Sequence, residues 1–384
     1  MAGPDWPSFS QFTQHKDVPQ FVYDEIDQML RPVEGFSHPT FCVLPFYAIE
    51  FPSKTSCCLL QSYESISEIK QKMLDGQRPQ SCSKCWRLED HGIKSDRQIK
   101  NETLDYYSDT DLEQLIQQSK QGKNRIVHYK IDTSNTCNAA CVTCSGYFSS
   151  TWNKLNQKNN LPQNKNWKIL PDQTAAWIDF THARSISFRG GESFLSDTNF
   201  YILEQLILHK NTDCFVNFVT NGSFSLSKKQ KHILSHFSNI NFCFSIDGIG
   251  LVFEYLRWPL KWNTIENNIL WCRANNIEVS VSYTLSNLNL LYHNETTQWF
   301  EKNNLNYLIN PVYSPGHFRP QSLSAKVKKS LIDRCGIKVE NWLSHTSEDD
   351  TLFEKLKIEI AKQDKMKNIA IKDYLPELAA LLKW

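Results

Sequence analysis

The sequence predicts an α/β fold: a partial (β/α)6 barrel or an open parallel sheet, with a small cysteine-bearing segment before it and helices after it. Three observations carry this expectation. From about residue 125 short apolar runs recur, helix-length stretches separate most of them, and the loops after the runs hold unusual turn sequences. Strands alternating with helices at this spacing indicate parallel βα units. Six such units are too few to close an eight-stranded barrel.

In chain order, residues 17–31 read as a short amphipathic helix, and 66–75 and 109–121 as two more. Between the first two, CVLPFYAIEFPSKTSCCLL (42–60) is rich in β-branched and aromatic residues and predicts a hairpin. The strands then follow as RIVHYKID (125–132), SISFRG (185–190), CFVNFVT (214–220), NFCFSID (241–247), IEVSVSYTL (277–285) and LNYLINPVY (305–313). Helical stretches near 194–210, 225–238, 262–275 and 293–304 separate most of them. The long interval after the first strand holds a polar loop, NQKNNLPQNKNWK (156–168), and residues 321–384 look helical to their end in DYLPELAALLKW. The expected division is 1–124, 125–320 and 321–384, with no internal repeat.

Composition narrows the function. Forty-two Lys and Arg against forty-one Asp and Glu leave a net charge of +1 in 384 residues. That balance argues against a broad nucleic-acid footprint or a polybasic membrane anchor. MAGPDWPSFSQF lacks the basic and apolar regions of a secretory signal. No apolar run reaches the roughly eighteen residues a membrane span needs. A cytoplasmic protein without nucleic-acid or membrane partners is expected. In a reducing compartment its twelve cysteines are metal ligands or catalytic groups rather than disulfides. Cys214, Cys243 and Cys272 lie in apolar runs and read as small buried hydrophobes; Cys335 has no assignment.

SNTCNAACVTCSG (134–146) places Cys137, Cys141 and Cys144 in the loop after the first strand of the series, with no further Cys or His in the next thirty residues. Three thiolates can hold an iron–sulfur cluster and leave one iron open; zinc completed by a distant ligand is the alternative. RGGES (189–193), TNGS (220–223) and DGIG (247–250) end the next three strands. In barrel-like βα folds such loops gather at one rim, although Asn-Gly and Asp-Gly also have plain turn chemistry.

C-x3-C-x2-C in this setting resembles the radical S-adenosylmethionine (SAM) superfamily, over roughly residues 125–320. The resemblance implies a [4Fe–4S] cluster whose open iron is chelated by SAM, reductive cleavage to a 5′-deoxyadenosyl radical, and hydrogen abstraction from substrate. It implies that Gly190 and Gly191 let the backbone approach the methionyl group. The backbone carbonyl of this segment or the Glu192 side chain would receive the amino group. Thr220, Asn221, Ser245 and Asp247 would line the ribose and carboxylate pocket, and Arg257 would pair with the carboxylate. Where the family has an aromatic residue before the third cysteine, packed on adenine, this chain has Thr143.

Cys82 and Cys85 form a C-x2-C, with Cys42 and the pair Cys57-Cys58 upstream. Adjacent strand residues point to opposite faces, so one of Cys57 and Cys58 should ligate. The order is similar to the twitch and SPASM auxiliary-cluster modules, here before the barrel. It matches a twitch-type subgroup whose C-x2-C is followed by E-x2-G-x2-S-x-R, carried by Glu89, Gly92, Ser95 and Arg97. A structural zinc site is the alternative. The resemblance implies oxidative modification or crosslinking of a peptide or protein, with a reductase such as flavodoxin or ferredoxin as electron source. A radical SAM oxidoreductase acting on a small metabolite and a non-catalytic zinc-binding scaffold are the other readings.

Overall fold

A computed structural model describes residues 39–51, 53, 55–57, 63–90, 95–102, 112–164, 178–312, 314–335 and 350–384. The expected helix at 17–31, Cys58, Gly92, residues 109–111 and the end of the polar loop lie outside them.

Among the described residues seven parallel strands form one sheet in sequential order, β1 to β7. They are β1 (Ala48–Phe51), β2 (His128–Asp132), β3 (Ser185–Arg189), β4 (Phe215–Thr220), β5 (Ile240–Ser245), β6 (Glu278–Leu285) and β7 (Asn306–Pro311). The last six are the predicted strands. The first is a correction. The stretch 42–60 was expected to fold back as a hairpin, yet β1 pairs in parallel with β2, Ala48 against His128 and Phe51 against Ile131. Among the described residues the one trace of the hairpin is an antiparallel bridge, Glu50 to Thr55. A β-rich run reveals its propensity but not a partner some eighty residues away; Glu50 supplies the reason, lying 3.1 Å from Lys130 on β2 and 3.4 Å from Arg189 on β3.

The two faces of the sheet differ in kind. On the outer face Ile131, Phe188, Phe218 and Phe242 stand in register, fully buried under the flanking helices. Phe188–Phe218 and Phe218–Phe242 ring centroids are 4.9 and 5.6 Å apart. On the inner face the register row is Lys130, Ser187, Asn217, Asn241. Asn217 Nδ2 donates to Ser187 Oγ at 2.9 Å, and Asn241 Nδ2 to Asn217 Oδ1 at 2.7 Å and Ser280 Oγ at 2.9 Å. Cys214 and Cys272 are buried hydrophobes as expected. Cys243 is not: it sits half-buried on β5 between Val219 and Ser280 in register, on the polar face.

Helix 66–74 begins at a capping box, Ser65 with Glu68, which satisfies its first amides. A helix at Ser150–Lys158 fills part of the long interval after β2, and another at Gly250–Leu256 follows β5; neither was expected. The C-terminal helices, including Asp350–Lys367 and Pro376–Leu382, share the sheet's apolar core through Leu356, Ile360 and Leu378. Residues around Phe41–Ala48, Ile69, Met73 and Leu112–Ile116 form a second core. Among the described residues no helix is long and apolar enough to cross a membrane.

Candidate active site

The loop after β2 is held from every side. Gly191 N donates to Ser134 O and Glu192 N to Thr136 O, each at 2.8 Å. Further along, Ala140 N and Val142 N donate to Trp258 O and Leu256 O at 2.7 and 2.8 Å. From the helix at 150–158, Thr151 Oγ1 donates to Cys137 O at 2.6 Å and Trp152 Nε1 to Cys141 O at 2.9 Å. The C-terminal helix adds Gln363 Nε2 to Val142 O at 3.1 Å. The backbone amides and carbonyls of an irregular segment thus find partners without regular structure. The glycine pair has its first use here: a Cβ at Gly191 would lie 2.3 Å from Thr136 O, and one at Gly190, whose φ is +107°, 2.6 Å from Ser134 O.

Cys137, Cys141 and Cys144 open onto a cavity of about 550 Å³ at the C-terminal ends of the strands, a size that suits a bound cofactor. Gly190, Gly191, Thr220, Asn221, Ser245 and Arg257 line it too. Six of the eight rim residues expected to contact a cofactor therefore meet the three cysteines. The other two lie behind them. The Glu192 carboxylate is buried and accepts from Thr220 Oγ1 and Asn221 N, both at 2.7 Å, and from Phe194 N at 3.2 Å. It braces the β4 loop, where Asn221 Nδ2 reaches Asn138 Oδ1 at 2.8 Å and Cys137 Sγ at 3.9 Å. Asp247 is buried and accepts from Arg257 Nη2 at 2.8 Å and Thr284 N at 3.1 Å. It orients the guanidinium, whose Nη1 stands 3.9 Å from Cys141 Sγ and whose Nε is buried with no partner among the described residues.

Charge follows this packing. Burial pushes Cys137 and Cys144 up to about 12 and raises Cys141 as well, with Arg257 opposing the rise at Cys141. Thiols held protonated are poor nucleophiles, whereas coordination to iron deprotonates a thiol outright. Burial works against the charge of Arg257, but Asp247 and Cys141 more than offset it, so its pKa rises. Burial also raises Glu192, against its three hydrogen-bond donors. Lys367, from the C-terminal helix, is pulled down by burial to about 8, with Cys141 and Asp364 opposing the drop.

Sequence reasoning missed several cavity residues: Phe148 on the cysteine loop, Thr284 on β6, and Asn310, Pro311, Val312 and Ser314 at the end of β7. Nothing local marks them; only the closing of the rim brings them in. Phe148 is 45% exposed and packs edge-on against Tyr147 at 4.7 Å, so the cavity mouth carries an aromatic ring although Thr143 replaces the expected one.

The second cysteine set also comes together. Cys42, Cys57, Cys82 and Cys85 line one small cavity of about 20 Å³ with Leu44, Met73 and Arg97. Burial pushes Cys82 up to about 12 and raises Cys42 and Cys85. Arg97 is the hub beside it. It donates to Glu89 through Nε at 2.9 Å and Nη2 at 2.7 Å, and through Nη1 to Phe41 O at 2.6 Å. Its guanidinium lies 4.9 Å from the Trp86 ring centroid, and Ser95 Oγ donates to Glu89 Oε1. Glu89, Ser95 and Arg97 thus tie the chain before Cys42 to the helix bearing Cys85. Among the described residues no three His, Cys, Asp or Glu side chains converge on a single-ion site.

No family model and no curated protein sequence matches the chain. Solved structures do. Native anSMEcpe with bound AdoMet aligns at 19% identity over 53% of this chain and 59% of its own, with a TM-score of 0.39. Streptococcus suis SuiB bound to S-adenosylmethionine aligns at 13% identity over 81% of this chain and 64% of its own, with a TM-score of 0.40. The same protein bound to precursor peptide SuiA aligns at 13% identity over 70% and 62%, also with a TM-score of 0.40. The chain spans less than two thirds of the length of each.

Proposed function

We propose that this chain is a radical SAM enzyme with a second iron–sulfur cluster in its N-terminal segment. The observation that carries the reading is the meeting of three cysteines, a glycine-rich strand end, Asn221, Ser245 and an oriented buried arginine around one cavity. When bound, a [4Fe–4S] cluster chelating SAM supplies the electron that breaks the sulfonium and yields the 5′-deoxyadenosyl radical. Cys137, Cys141 and Cys144 would hold it. The donor set fits: three thiols lining one cavity can each ligate one iron of a cluster and leave a fourth iron open. Arg257 offers a fixed fork to the SAM carboxylate, kept in place by Asp247. The backbone at Gly190–Gly191 faces the methionyl group, and Glu192 steadies the loop carrying Thr220 and Asn221. Asn221 and Ser245 reach the ribose side.

Cys42, Cys57, Cys82 and Cys85, which line one cavity, are assigned to the auxiliary cluster, and Cys58, the alternative to Cys57, lies outside the described residues. On this reading 1–124 is a twitch-like unit with its own core, 125–320 a partial barrel, and 321–384 a helical extension, in a cytoplasmic enzyme supplied by a flavodoxin or ferredoxin. The polar inner face of the sheet favours a hydrogen-bonding substrate, since parallel sheets otherwise bury apolar residues on both faces. A peptide or protein substrate fits that lining, undergoing oxidative modification or crosslinking.

The test is anaerobic reconstitution. Two [4Fe–4S] clusters give about eight irons per chain, and reduction with SAM present should yield 5′-deoxyadenosine. Replacing Cys137, Cys141 and Cys144 together by Ala should remove about half the iron and all cleavage. Cleavage surviving in that variant would sink the assignment.

A further inference from the structure

The C-terminal helix Asp350–Lys367 puts a cation against the cysteine loop. Lys367 is 4% exposed. Its Nζ lies 4.7 Å from the centroid of the Trp152 ring and donates to Gln363 Oε1 at 2.9 Å. Both neighbours bind the loop themselves, Trp152 through Cys141 O and Gln363 through Val142 O. Met366 packs with Ala140, Trp152 and Cys144. The ammonium is therefore fixed on the side of the loop that carries Cys141 and Cys144. Arg257 stands beside the same Cys141. Of the two cations, Arg257 lines the cavity, and Lys367 is not among its lining residues.

We infer that Lys367 sets the reduction potential of the cluster held by Cys137, Cys141 and Cys144, by supplying fixed positive charge behind its ligands. The inference rests on the proposed function, because without a cluster there is nothing to tune. One electron entering from a low-potential donor adds one negative charge to the site. A buried cation favours that reduced state, and charge and solvent exposure are among the factors that set cluster potentials. Burial makes the effect large, since a charge removed from water is screened little. This helix thus belongs to the redox site, although none of its described residues lines the cavity.

The experiment compares full-length parent, Lys367→Met, Lys367→Gln and Lys367→Arg, each reconstituted anaerobically. Iron per chain is measured first, then the midpoint potential by dithionite titration followed by electron paramagnetic resonance. The barrel cluster's signal is taken as the one that changes when SAM is added. Lys367→Met and Lys367→Gln should keep the parent's iron and show at least a tenfold larger oxidised-to-reduced ratio at fixed potential, a shift of about 59 mV for one electron. Lys367→Arg should stay close to the parent. Gln keeps a polar side chain for Gln363 and carries the decision if the Met variant does not fold. Neutral variants that titrate at the parent's midpoint overturn the inference, as does an Arg variant that moves as far as they do. A parent that binds no iron at Cys137, Cys141 and Cys144 fails at the earlier step and overturns the proposed function instead.

Discussion

Arg257 and Asp247 act as one unit, 10% and 5% exposed at their side chains, and their substitutions should separate binding from stability. Arg257→Ala removes a charge-assisted contact worth roughly 1.5–3 kcal/mol, so SAM titration should show affinity down about ten- to a hundred-fold. Arg257→Lys should recover only part, because an ammonium lacks the two-pronged fork. Asp247→Ala leaves the guanidinium buried beside Cys141 without its anion, a change that costs about 3–5 kcal/mol in comparable pairs. Its denaturant midpoint should fall more than that of Arg257→Ala. The apolar double variant Asp247→Leu with Arg257→Met should regain stability yet still bind SAM weakly. If the double variant binds SAM like the parent, the arginine serves only the fold.

At the level of elements, the loop that carries the cysteines depends on how closely the end of β3 approaches it. Gly191→Ala would press a methyl group into backbone, 2.3 Å from Thr136 O and 2.7 Å from Asn135 C, and neither atom can swing away as a side-chain tip would. Overpacking of this kind costs typically about 1–3 kcal/mol. The expected result is loss of roughly half the iron, from the barrel site, with the N-terminal site still loaded; full iron would show the loop tolerates displacement. The glycine pair, like the cysteine spacing, was legible in the sequence because each is a local pattern with few other causes. The six strands from β2 to β7 were legible for a similar reason, their apolar outer residues recurring between helices. What stayed hidden is what depends on distance. Glu50 reads as one charged residue in a β-rich run, and only the parallel register with β2 turns it towards Lys130 and Arg189. Glu192 likewise reads as a candidate cofactor contact, and nothing in the sequence shows that its carboxylate also accepts from Thr220 and Asn221. Lys367 and Gln363 lie more than two hundred residues from the loop they support, and no spacing rule could join them.

For the molecule as a whole, β1 is the join between two cores. Phe41, Cys42 and Val43 belong to the N-terminal core, and a few residues on the same chain enters the sheet beside β2, whose following loop bears Cys137. Among the described residues the two cysteine cavities share no lining residue, so each should load independently. Cys82→Ala with Cys85→Ala removes two of the four thiols of the small cavity and touches none of the hydrogen bonds that hold the 134–146 loop. Iron should fall by about half, to roughly four per chain, while SAM cleavage to 5′-deoxyadenosine continues. Formation of the modified product should stop, because an oxidation that begins with hydrogen abstraction still needs an acceptor for the second electron. Metal analysis alongside the cleavage assay decides between the alternatives. If the variant loses zinc and keeps all its iron, the N-terminal site is a structural zinc site and the second electron leaves by another route.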